Sequence, residues 1–88
     1  MDRSAMKGKL GIVAAVEEET MVIETVRENS AAAEAGLKSG DVLVQVNGRD
    51  ITSMKELRYS LAGGLRGEIA TLIVSRDGIV KTLNATLK

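Results

Sequence analysis

"NSAAAEAGLKSGDVLVQVNG", residues 29–48, sets an alanine-rich segment, two glycines and an aspartate directly before the most apolar strand-like run of the chain. Ser30 can cap the amides of a short helix over Ser30–Ala35, and Gly36 can take the left-handed position that ends it. Leu37 then stands where a Schellman ending places its hydrophobic contact. Gly36 and Gly40 both permit positive φ, so the chain can turn sharply twice within a few residues. The small alanines let the short helix lie close against a sheet. Val42–Val46 is almost wholly apolar and reads as a strand covered on both faces. Asn47-Gly48 reads as the turn that leaves it. Nothing in this stretch is an obvious catalyst: it is scaffold, and function has to sit elsewhere.

Outward from this centre, Leu10–Val16 and Met21–Val26 are β-rich runs, and Glu17–Thr20 between them reads as a hairpin connection. Ser53–Ala62 carries the clearest helix signal. Ser53 with Glu56 three residues on forms a capping box. Met54, Leu57 and Leu61 make one stripe, and Gly63-Gly64 ends the helix. Ile69–Ser75 and Ile79–Leu87 are strands joined by Asp77-Gly78, a strong hairpin signal. In the last strand Leu83, Ala85 and Leu87 alternate with Thr82, Asn84 and Thr86, so one face is wet. The order ββαβαββ predicts a small α+β domain, a partly open β-barrel or sandwich of five to six strands capped by one short and one longer helix. Residues 1–7 lack periodicity and read as a mobile lead before a domain over residues 8–88.

Composition excludes several classes of function. With 88 residues there is one domain, burying only about 60–65% of its unfolded surface. There is no cysteine and no histidine. That removes disulfides, thiolate metal sites, the usual general base and the Ser-His-Asp triad. Ser, Lys and Asp show no catalytic spacing, and no cofactor is expected. Twelve basic and twelve acidic residues cancel, which argues against the basic face a nucleic-acid binder needs. Tyr59 alone offers nothing on which bases could stack. No apolar run is long enough to span a membrane. The segment "MKGKLGIVAAVEEE" begins like a signal peptide, but Leu10–Val16 is too short and three glutamates stand where cleavage would occur.

The pattern Ser30–Leu37, then Lys38-Ser-Gly40-Asp41-Val42, then Val46-Asn47-Gly48 resembles the PDZ domain of bacterial HtrA/Deg-type proteases. Ile51–Leu61 resembles the groove helix of that family, "VSRDGIVKTLNATL" its closing hairpin, and "KGKLGI" its carboxylate-binding loop. The chain departs from the family at Ala31, where proline is usual. It departs again at the short "EEET" connection, where HtrA-type members often carry a helical insertion.

The resemblance implies a non-catalytic module that captures extended C-terminal peptides by adding a strand to an exposed sheet edge. It implies a carboxylate nest at Leu10-Gly11-Ile12, with Lys9 or Lys7 adding positive charge. On the residues alone, Gly11 could equally mark a strand start. The receiving edge would be Ile12–Val16, including Val13 and Ala14; the alternative is a strand paired on both sides. Met54 would take the first groove position, Arg58 the next turn, and Leu61 the pocket for the terminal side chain, completed by Leu10, Ile12 and Ala14. Leu57 would face the core. Simple core packing is the competing reading for Met54 and Leu61. Met54 where many relatives carry histidine suggests apolar residues at the peptide's last and third-last positions. The implied parent is an HtrA-type serine protease of the bacterial envelope or periplasm, whose protease domain the module would contact. A membrane metalloprotease, a secretion-system protein and a purely structural domain remain as alternatives.

Overall fold

Among the described residues, two short helices and six strands form in the order β1 (Ile12–Glu17), β2 (Thr20–Val26), α1 (Ala31–Ala35), β3 (Val42–Val46), β4 (Arg49–Asp50), α2 (Met54–Ala62), β5 (Ile69–Arg76) and β6 (Ile79–Thr86). The structure is a computed structural model and describes residues 9–88. The expectation of a mobile lead over residues 1–7 lies outside the described residues. All strand pairs are antiparallel, in the order β1-β2-β3-β5-β6, with β4 paired only to β3. The α+β class and the partly open sheet follow the sequence reading. The two-residue β4 was not legible there, because Arg49–Asp50 is too short and too polar to show an alternation.

The scaffold stretch folds as its residues dictate. Ser30 Oγ accepts the Ala33 amide at 3.1 Å, and α1 ends on Gly36 at φ 93°. Leu37 donates back to the Ala32 carbonyl at 3.0 Å. Gly40 makes the second turn at φ 92°. Ala31 and Ala32 are buried, which is why a proline-free, alanine-rich turn packs tightly here. α1 lies against β6, and Met21, Ile23, Leu43, Val46, Leu72 and Val74 fill the core between sheet and helices.

Two expectations are corrected. β3 is not covered on both faces: Leu43 and Val46 are buried, but Val44 stays 39% exposed. The cause is an irregular register between Leu43 and Gln45 opposite β5, which turns Val44 outward. The capping box at α2 is only half formed. Ser53 Oγ accepts the Glu56 amide at 3.2 Å. The Glu56 carboxylate instead meets Arg49 Nη1 at 3.2 Å, and Arg49 also lies 4.4 Å from the centre of the Tyr59 ring. β4 brings Arg49 beside the helix, and that neighbour competes for the carboxylate.

One buried charge fastens the glycine-rich loop to the far hairpin. Asp41 is 1% exposed. It accepts Arg76 Nε and Nη2 through its two oxygens, each at 2.7 Å. It also accepts the Lys38 amide at 2.9 Å. Arg76 Nη2 reaches the Gly36 carbonyl at 2.8 Å. The paired guanidinium holds the Asp41 carboxyl below its ordinary value of 3.8, and the Lys38 amide adds to this, while burial works in the opposite direction.

Candidate functional site

Among the described residues, β1 ends the sheet order and pairs only with β2, so its other side is an open edge. This decides between the two sequence readings of Ile12–Val16 in favour of an edge. Val13 and Val16 on this strand are 45% and 43% exposed. An apolar open edge invites pairing with another chain unless something blunts it.

The backbone just before β1 is fixed by its carbonyls. The Lys9 carbonyl accepts the Lys88 amide at 3.3 Å, the Leu10 carbonyl the Ala32 amide at 2.9 Å, and the Gly11 carbonyl the Arg27 amide at 2.9 Å. All described peptide bonds are trans, and in a trans unit the N–H points opposite to the C=O. The amides of Leu10, Gly11 and Ile12 are therefore turned away from Lys88, Ala32 and Arg27 in turn. Among the described residues, the Leu10 and Gly11 amides donate to no backbone acceptor. Gly11 allows this run through φ 85°. No other residue fits: a Cβ there would lie 2.3 Å from Ser30 Cβ. The residue that caps α1 thus also fixes the identity of residue 11.

A groove of about 340 Å³ opens at this point, lined by Lys9, Leu10, Gly11 and Ile12 on one side and by Leu57, Arg58, Leu61 and Ala62 on the other. Leu10 and Leu57 are buried beneath it, while Ile12 and Leu61 are half-buried. The structure therefore brings together Lys9, Leu10, Gly11, Ile12, Arg58 and Leu61 from the sequence reading. Ala14 is half-buried against the core, pairs with Ile23, and lies farther along β1. Met54 is half-buried against the core and does not line this groove. Sequence reasoning missed Ala62, four residues after Arg58 and so on the same helix face. It assigned Leu57 wholly to the core, where the side chain is also the groove floor. No His, Cys, Asp or Glu cluster among the described residues could hold a metal.

A sheet whose β1 edge is open, a helix across an apolar groove from it and a glycine-turned loop at its mouth make up the architecture of a PDZ module. A family model described as PDZ domain matches residues 22–76, and the chain belongs to the PDZ domain family. It is a non-catalytic module. It is 46% identical over 66 residues to the serine protease Do-like HtrB of Bacillus subtilis (strain 168), covering 74% of this chain and 14% of that protein. It is 39% identical over 66 residues to the periplasmic serine endoprotease DegP of Escherichia coli (strain K12), covering 75% and 14%. The chain thus spans 14% of the length of these curated relatives. Among solved structures, the HtrA3 PDZ domain bound to a phage-derived ligand (FGRWV) superposes with a TM-score of 0.82 at 22% identity, covering 94% of this chain and 86% of that one. The HtrA-type protease AlgW with a decapeptide superposes with a TM-score of 0.85 at 21% identity, covering 93% and 29%.

Proposed function

We propose that this module binds an extended peptide along β1, with the peptide's terminal carboxylate held by the amides of Leu10, Gly11 and Ile12 and by Lys9. The observation that carries the reading is the run of three amides turned away from three internally occupied carbonyls, at the mouth of an apolar groove. Convergent amides form an anion site without any catalytic side chain. The peptide adds a seventh strand antiparallel to β1, so backbone hydrogen bonds supply affinity and the groove reads alternate side chains. Leu10, Ile12, Leu57, Leu61 and Ala62 form the pocket for the last side chain, and Val13 and Ala14 continue the receiving edge. Identity to HtrB and DegP favours an HtrA-type serine protease as the parent, with the module recognising substrates or regulating the protease domain it adjoins. DegP is named periplasmic, and the cell envelope is the proposed location.

The decisive experiment compares peptides ending in a free acid with the same peptides amidated, titrated by calorimetry. Amidation removes a charge-assisted contact worth about 1.5–3 kcal/mol, so affinity falls about tenfold or more. Equal affinities sink the carboxylate site. A second pair of variants separates groove from core. Leu57 is 5% exposed, so Leu57→Ala should lower unfolding free energy by about 2–5 kcal/mol. Leu61→Ala should cost less stability while weakening the free-acid peptide. Urea melts and titrations of both variants measure this; a Leu61→Ala protein with wild-type affinity removes Leu61 from the pocket.

A further inference from the structure

The expectation of an apolar third-last ligand residue rested on Met54, which the structure keeps out of the groove. The helix residue standing there instead is Arg58. α2 rises about 1.5 Å per residue, so Arg58 lies about 4.5 Å along the helix from Leu61. Peptide side chains two residues apart on one face of a strand are separated by about 6.6 Å. With Leu61 and Ala62 at the mouth beside Leu10–Ile12, the last side chain meets Leu61. The guanidinium on its long stem then covers the position of the third-last one.

The charge of the groove is one-sided. Among the described residues, its two charged lining residues, Lys9 and Arg58, are both cationic, and no acid lines it. The ion pairs among the described residues are Arg49–Glu56, Arg76–Asp41 and Lys88–Glu34, and neither groove cation takes part in them. In a chain of zero formal net charge this is a local excess. Lys9 sits with the carboxylate amides; Arg58, one turn up the helix, pairs with no carboxylate among the described residues, and a ligand would supply one. Resting on the peptide-binding reading above, we infer that Arg58 is a specificity-determining residue selecting peptides with Asp or Glu at the third-last position.

The test uses three free-acid peptides identical except for Glu, Gln or Leu at the third-last position, each also made as an amide. They are titrated against the wild-type chain, Arg58→Gln and Arg58→Glu at low and high salt. The Glu peptide should bind wild type about two- to fivefold tighter than the Gln or Leu peptide, as an exposed ion pair allows. The advantage should shrink at high salt, vanish in Arg58→Gln and reverse in Arg58→Glu. Free-acid binding that is indifferent to Glu, Gln or Leu overturns the assignment of Arg58 and leaves the carboxylate site standing. A preference for Leu overturns it in favour of an apolar subsite. Failure of every free-acid peptide to bind overturns the peptide-binding reading and this inference with it.

Discussion

Gly11→Ala is expected to abolish measurable binding of free-acid peptides and to lower the unfolding free energy by about 2–6 kcal/mol. Two costs combine in that figure. A non-glycine residue at φ 85° carries about 1–3 kcal/mol of backbone strain. The new methyl would also stand 2.3 Å from Ser30 Cβ, and relieving such overpacking costs about 1–3 kcal/mol. Relief can come only from moving the loop or moving Ser30. Ser30 caps α1 and accepts from Ala33, and it donates from Oγ to the Arg27 carbonyl at 2.7 Å. The loop is tied through Leu10 to Ala32 and through Gly11 to Arg27. Either movement tilts the three amides apart. Urea denaturation and calorimetric titration of one purified variant read both effects. Wild-type stability would show that the loop relaxes freely and that α1 does not hold it.

Ser30→Gly separates the two costs. It removes the Cβ that the methyl introduced at position 11 meets. In the double variant the steric share therefore returns, while the strain at residue 11 and the loss of the cap remain. Partial recovery of peptide binding in the double variant is the expected result.

The second large effect is expected far from the groove. Asp41→Ala should cost about 2–4 kcal/mol, because it strips a buried bidentate partner from Arg76 and leaves the Lys38 amide unpaired. Arg76 retains the Gly36 carbonyl and partial access to water, which keeps the loss below that of a fully stranded charge. The pH dependence has a definite sign. The folded-state pKa of Asp41 lies below its ordinary 3.8, so folding holds the ionised form. The stability this contributes is fully present above the unfolded-state value and is lost as pH falls through the folded-state value. Melting temperatures of the wild type should therefore fall on acidification below about pH 4. Asp41→Asn should lose that part of the slope and start from a lower plateau. Parallel pH profiles for the two proteins would remove Asp41 from the acid transition. Peptide affinity of Asp41→Asn, measured where the variant remains folded, should stay near wild type, since neither Asp41 nor Arg76 lines the groove.

Local signals carried most of the architecture. Ser30, Gly36 and Leu37 specify the start and end of α1 through groups within a few residues, and Asn47-Gly48 and Asp77-Gly78 specify turns by their tolerance of positive φ. Such terms act at short sequence separation, so one sequence suffices to read them. The first hairpin shows the limit: its turn residues Glu18 and Glu19 have φ 48° and 63°, a conformation glutamate does not favour. Pairing of Glu17 with Thr20 and of the strands behind them imposes it.

What the sequence determined by itself was the class of domain, the helix facing a strand, and the loop whose glycine opens the groove. What only the tertiary structure decided depends on residues distant in the chain. Residue 11 must be glycine because residue 30 lies against it. Asp41 finds its partner 35 residues away in Arg76. The Lys9, Leu10 and Gly11 carbonyls find theirs at Lys88, Ala32 and Arg27, and that is what turns three amides outward. Arg58 rather than Met54 lines the groove at the loop because Met54 lies about 10.5 Å along α2 from Leu61, against about 4.5 Å for Arg58, although all three stand on one side of the helix. A stripe at helical spacing names a face, but which turn of that face stands over the loop is fixed only when the helix meets the sheet.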